Sequence, residues 1–255
     1  MKLVTILQQY NELNNGNLPR YLDSISRYTD ALVVYDDASI DGSLQYVKEW
    51  KKSFGGKQLK EVIVISGEKN DYAAEVSHKE KMLNIALEIG ADWIFRIDAD
   101  EVLEKKGEDE IRQLCSTSKV DSYAFKNANL WRHPNYYRLD NSFNDFTSCR
   151  LWKNNGKLKY NNVKRGLHQR AVPDGLDTED WAPFITLHYG FACAENIIAK
   201  FKMYKEHGQQ GWELYRLIDE RTLRLAKSNK EWFRNPPEDL PMHKVINRPL
   251  VSMVS

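Results

Sequence analysis

Four short apolar runs in the first hundred residues constrain what this chain can fold into. Residues 3–7, 31–35, 61–66 and 93–97 read as buried strands, since each is brief and bounded by polar turns. Helical patterns fall between them. One begins near Pro19, where proline suits a first turn. A second carries Leu44, Val47 and Lys51 on one side. A third covers residues 78–89, with Met82, Ala86 and Ile89 on one face and Gly90 as its C-terminal cap. Strands alternating with helices predict an α/β domain with a mainly parallel sheet flanked by helices. Ligands of such sheets bind beyond the carboxyl ends of the strands. Two acidic clusters, at 36–41 and 98–101, sit directly on predicted strand ends.

The remainder of the chain has a different texture. Residues 120–132, 145–152 and 183–189 read as further strands. A helix carrying Ile197, Phe201 and Tyr204 follows, and a second helix is predicted over about 212–227. The tail, PPEDLP and then RPLVSMVS, reads as a linker into a new strand over 236–255, or as the start of a further domain. The 255 residues suffice for one large domain with a helical appendage. Lys and Arg total 37 against 36 Asp and Glu. That balance argues against a nucleic-acid partner, which usually demands a basic excess. Cys115, Cys149 and Cys193 are widely spaced without a CxxC pair, so neither a disulfide framework nor a zinc site is expected. The first apolar run is shorter than the roughly 7–15 residues of a signal-peptide core, and no run approaches a bilayer span. These features predict a cytoplasmic protein without a transmembrane segment, working in solution or at a membrane surface.

The chemistry centres on Asp98-Ala99-Asp100. A diphosphate repels carboxylates, so acidic residues serve it only through a bridging cation. Mg²⁺ and Mn²⁺ prefer hard oxygens and usually take one or two protein carboxylates. A strand end that places alternate side chains on one side suits that task. Solvated loop acids are the plainer reading of the same residues.

The surrounding segments carry a resemblance. VVYDDASIDGS is similar to the stretch after the second strand of family-2 glycosyltransferases of the GT-A fold, and HKEKMLNIALEIGADWIFRIDADE resembles that family's helix–strand–DxD block. The likeness covers roughly residues 3–104. It implies a Rossmann-like nucleotide-binding sheet with C-terminal helices, in a domain spanning 1–235. Within it, 1–118 would bind the nucleotide-sugar, 119–192 would form the acceptor side, and 193–235 the helices.

The resemblance also implies roles. Tyr10 would stack on the base, beside Asn11 and Glu12, and Asp37 of the Asp36-Asp37 pair would accept from the base. His78, Lys79 and Lys81 stand where relatives carry a phosphate-binding arginine. Asp98 would approach the ribose or the metal shell, Ala99 would lie beside it among the nucleotide-sugar-binding residues, and Asp100 would hold Mn²⁺ or Mg²⁺ directly. PFITLHYGF resembles the segment supplying a metal-binding histidine, here His188. CRLWKNNGKLKYNNVKRGLHQRAV resembles the acceptor side, which brings in Arg150 and His168, although His168-Gln169 replaces a common HE. Trp131, with other aromatics of this half, would pack against sugar or fill the core.

An inverting transfer also needs a carboxylate base, which typically contributes 10²–10⁴-fold. Asp145, Asp177, Glu179 and Asp180 are the candidates. The expected partners are a nucleotide-sugar donor, a UDP-sugar above all, and a carbohydrate or glycan acceptor. A catalytically silent nucleotide- or glycan-binding module is the alternative from another class. A sugar-nucleotide nucleotidyltransferase is disfavoured, because residues 8–17 contain one glycine and no lysine or arginine.

Overall fold

The computed structural model describes residues 1–53, 58–140, 143, 146–161, 172–206, 208, 212–247 and 249–253. Two compact units divide them. The first comprises residues 1–126 and 147–185, and the second comprises 127–146 and 186–255.

The first unit is built on β1 (Leu3–Gln9), β2 (Ala31–Asp36), β3 (Glu61–Ser66) and β4 (Trp93–Arg96). All four apolar runs of the sequence are therefore strands. β1 lies between β2 and β4, both parallel to it, and β3 adds in parallel outside β2. β8 (Thr147–Lys153) then pairs antiparallel with β4 and with the first half of β6 (Ser122–Trp131). β9 (Glu179–Trp181) pairs in parallel with β6 at Ser122–Ala124. The sheet is thus parallel through its first four strands and mixed beyond them.

Alternating side chains drive the layering. Leu3, Leu7, Leu32, Val34, Trp93 and Phe95 face one way, into a core shared with α1 (Asn17–Ile25), α2 (Ser43–Trp50) and α4 (Lys105–Thr117). Val4, Ile6, Val33, Tyr35 and Ile94 face the other way, against Val76, Met82, Leu83 and Ala86 of α3 (Glu75–Glu88). Strand β5 (Glu101–Leu103) follows the acidic turn.

The second unit holds the later half of β6 with β7 (His133–Arg138), β10 (Thr186–His188) and β11 (Leu225–Lys227). β10 pairs with β6 in parallel, while β7 pairs antiparallel with both β6 and β11. α5 (Ala194–Glu206) supplies Ile197 and Phe201 to a core that includes Trp131 and Phe191.

Two sequence expectations fail here. The helix predicted over 212–227 is only α6 (Trp212–Tyr215), and residues 225–227 are a strand. The buried Leu214, Leu217 and Ile218 mimic a helical stripe, but Arg138 takes the carbonyl of Arg216 and Arg132 takes the carboxylate of Glu220. These partners favour turns over further helix. In the tail, α7 (Met242–Val245) and a 3₁₀ turn at Val251–Met253 stand where a strand was expected. No described helix is long and apolar enough to cross a membrane.

Candidate active site

Register decides which loops meet. Gln9 pairs with Asp36 and Asp36 with Ser66, so β1, β2 and β3 end level with one another. Arg96 pairs with Ile6, which brings residue 98 to the same rim. The chain steps from β1 outward to β2 and β3 and then returns to β4 on the other side. A reversal of this kind opens a crevice at the strand ends, between β1 and β4.

The loops on this rim are tied to each other. Asn11 donates its backbone N–H to Ser39 Oγ at 3.0 Å and accepts the Ile40 N–H at 2.8 Å. Asp41 accepts the backbone N–H groups of Leu13 and Asn14 and the N–H and hydroxyl of Ser43. Burial alone would raise its pKa, yet these donors lower it. Glu12 accepts from the side chains of Asn15 and Asn17. Asn11 (φ 56°) and Ala38 (φ 58°) both adopt left-handed backbone, which is ordinary for Asn and strained for Ala. Asn11 and Glu12 therefore shape the loop through Ser39, Ile40, Asn15 and Asn17. Asp41 and Ser43 were not singled out from the sequence, although an Asp-Gly-Ser turn at a helix start could have pointed to them.

The two acids after β2 have different surroundings. Asp36 is fully buried and accepts from Gln9 Nε2 and the Ser39 N–H, both at 3.0 Å. Asp37, 1% exposed, accepts from Asn70 Nδ2 at 3.0 Å and the Asp71 N–H at 3.2 Å. Burial raises the Asp37 pKa, and the charges of Asp71 and Asp36 add to that against the Asp71 N–H. Beneath them, His78 is stacked on Tyr35 with centroids 3.9 Å apart, and its Nδ1 lies 3.1 Å from Gln8 Nε2. Lys81 sits 5.9 Å from the Tyr35 ring centroid, and Tyr10 is half-buried. Lys79 is buried and paired with Glu75. Burial lowers its pKa, and nearby Arg96 adds to that effect.

The acidic turn is held by two arginines. Arg96 Nη1 donates to Asp98 Oδ1 at 3.0 Å. Arg150 reaches Asp98 Oδ2 at 3.5 Å and Glu101 Oε1 at 2.5 Å. Glu101 Oε2 in turn accepts the Asp98 backbone N–H at 3.1 Å. Burial pushes the Asp98 carboxyl up, but the two guanidiniums override it and hold it at about 2. The Asp98 side chain is still 50% exposed, whereas Asp100 is buried at 7%. Ala99, at 4%, belongs to the core below.

Among the described residues, no group of three or more His, Cys, Asp or Glu side chains could hold a metal ion unaided. The carboxylate of Asp100 nonetheless suits Mg²⁺ or Mn²⁺, which commonly combine one or two carboxylates with substrate phosphates.

The other candidates are placed differently. In the second unit, His188 Nδ1 lies 2.8 Å from Asn129 Oδ1, and Asn129 Nδ2 donates to the Phe143 carbonyl. That second bond fixes the amide orientation, so Nδ1 carries the proton. In the neutral ring Nε2 is then unprotonated, as a metal ligand requires. Trp131 has no exposed surface and is packed with Phe143, Phe191 and Arg138, so it fills the core and cannot stack on sugar. Arg150 is buried at 1% and engaged with carboxylates, which corrects its placement against sugar. Asp177 is exposed and paired with Lys157 at 3.0 Å. Glu179 and Asp180 lie on the exposed strand β9. Asp145 and His168 lie outside the described residues.

Residues 6–111 match the family model described as glycosyl transferase family 2. An uncharacterized glycosyltransferase of Rickettsia bellii (strain RML369-C) is 25% identical over 234 residues, covering 86% of this chain and 70% of its own length. One from Rickettsia conorii (strain ATCC VR-613 / Malish 7) is 25% identical over 201 residues, covering 72% of this chain and 62% of its own. Among solved structures, S. aureus TarS 1-349 overlaps at 13% identity with a TM-score of 0.49, over 85% of this chain and 69% of that one. The mannosyltransferase PcManGT of Pyrobaculum calidifontis overlaps at 13% identity with a TM-score of 0.42, over 84% of this chain and 66% of that one.

Proposed function

Because residues 6–111 of this chain match the family model described as glycosyl transferase family 2, we propose that the protein moves a sugar from a UDP-sugar to a carbohydrate or glycan acceptor, with inversion and with Mn²⁺ or Mg²⁺. The observation that supports this reading is the shared rim of the sheet. Asp37 follows β2, the Asp98–Asp100 turn follows β4, and β1 runs between them.

In this reading Tyr10 stacks on the base and Asp37 accepts an N–H from it. Asn70 and Asp71, already bonded to Asp37, fix its direction. Asp98, held as a carboxylate by Arg96 and Arg150, receives a ribose hydroxyl. Asp100 would hold the cation, which when bound supplies a Lewis acid against the leaving diphosphate. The acceptor hydroxyl gives its proton to a carboxylate as its oxygen attacks the anomeric carbon opposite the departing UDP. Asp145, Asp177, Glu179 and Asp180 are the candidates for that base.

The test is nucleotide release from a panel of UDP-, GDP-, TDP- and CMP-sugars, with and without Mn²⁺. Metal-dependent release from UDP-sugars alone is expected. No release from any donor, together with no effect of UDP and Mn²⁺ on the melting temperature, would overturn the reading.

Asp37 adds a pH signature. Its raised pKa means that the charge facing the base is lost on acidification before ordinary carboxylates protonate. UDP affinity should therefore decline as pH falls towards the carboxylate range, with the decline starting above the normal Asp value near 3.9. A raised carboxylate favours the protonated folded state, so this group adds stability as pH falls. Binding and stability thus move in opposite directions, which distinguishes the effect from acid unfolding. Calorimetric titration of UDP across that range should show a flatter profile for Asp37→Asn.

A further inference from the structure

Every carboxylate oxygen of Asp98 and Glu101 has a recorded partner. Arg96 and Arg150 take the two oxygens of Asp98, and Arg150 and the Asp98 N–H take those of Glu101. Arg150 is the residue common to both carboxylates. It comes from β8, on the strand neighbouring β4, where its side chain is almost wholly enclosed. An enclosed guanidinium spanning two carboxylates is a geometric restraint, because its planar fork fixes both partners at once.

We infer that Arg150 is the positioning residue of the acidic turn, holding the Asp98 and Glu101 carboxylates out of the cation's ligand shell so that a divalent cation and a nucleoside diphosphate bind as a pair. The inference rests on the reading of the rim as a UDP-sugar site and extends it.

The physical argument concerns ligand supply. A hard cation of this class is satisfied by about six oxygens. Four carboxylate oxygens of the turn are already committed to N–H donors, and the guanidiniums repel an incoming cation. The diphosphate brings both the missing oxygens and the missing negative charge. Each ligand then raises the affinity for the other by the same factor, as linkage requires.

Removing Arg150 should reverse this preference. Arg150→Gln frees one oxygen of each carboxylate and removes a positive charge, so the cation should bind better alone. UDP should gain less from it, since the turn no longer holds one geometry.

The experiment measures Mn²⁺ binding by the loss of its free-ion EPR signal, and UDP binding by calorimetry, each alone and with the other present. In the intact chain, Mn²⁺ is expected to raise UDP affinity by about 10–100-fold, within the usual range of such couplings. In Arg150→Gln, affinity for Mn²⁺ alone should rise about tenfold while the coupling falls below about threefold. Arg150→Lys keeps the charge but reaches only one carboxylate, so its coupling should fall between the two. It also preserves the test should the Gln variant fail to fold. Glu101→Gln leaves the contact between Arg150 and Asp98 and should not raise affinity for Mn²⁺ alone.

Equal Mn²⁺ affinity with and without UDP in the intact chain would overturn the inference and leave the UDP-site reading standing. A rise in Mn²⁺ affinity for Glu101→Gln matching that of Arg150→Gln would overturn it too, showing simple loosening. Failure of UDP to bind under any condition would instead remove the reading beneath it.

Discussion

Asp140→Ala should cost the second unit about 3–5 kcal/mol, the usual penalty for removing one partner of a buried ion pair. Arg138 has no exposed side-chain surface and gives Nε and Nη2 to the two oxygens of Asp140 at 2.8 and 2.9 Å. Its guanidinium carbon also lies 4.3 Å from the Trp131 ring centroid and 4.2 Å from that of Phe143. A cation with no exposed side-chain surface, packed against two rings, has no direct route to water. Deleting the carboxylate therefore leaves an enclosed charge, and the Arg224 N–H loses its acceptor as well. Urea unfolding followed by tryptophan fluorescence gives the size of the loss, and a change below about 1 kcal/mol would contradict it. The pH dependence has a defined sign. Burial alone would raise the Asp140 pKa, but Arg138 lowers it. The pair's contribution is thus complete above the unfolded carboxylate value and disappears as pH falls through the lower folded one.

Asp100→Ala should reduce metal-dependent nucleotide release by about 10²–10³-fold, comparable to losing one electrostatic stabiliser of a leaving group. The fold should survive, since β4 and β5 on either side of the turn are anchored by Phe95, Ile97 and Leu103 in the core. The informative measurement is kcat with saturating donor, accompanied by a thermal melt. Retention of more than about a tenth of the metal-dependent rate would show that Asp100 is not the residue holding the cation.

Local pattern made the first four strands of the chain readable. The runs at 31–35 and 93–97 are short, apolar and followed by acids, and in the structure they end on one rim as parallel strands do. What stayed hidden was non-local. Arg150 lies 52 residues from Asp98, and nothing in KNNGK or SCRLW announces that they pair. The density of aromatics leaves Trp131 open to packing against sugar or filling the core, and the Arg138 guanidinium and two phenylalanine rings place it in the core. The predicted helix over 212–227 failed for a related reason. Its apolar spacing is genuine, but the Arg216 carbonyl serves Arg138 at the end of β7, and the Glu220 carboxylate serves Arg132 at the junction of β6 and β7. Tertiary hydrogen bonds outweigh propensity there, and periodicity carries no record of them.

The ties among the rim loops have a consequence for anyone who redesigns this protein. Residues 11–14 are bonded to 39–43, and Asp37 is bonded to 70–71. A change in one segment removes the support of the others, so single substitutions should combine non-additively. On the proposed reading of this rim as a nucleotide-sugar site, donor preference would be transplanted from a relative as one cassette of all these segments, and piecemeal grafts would lower activity before they altered it.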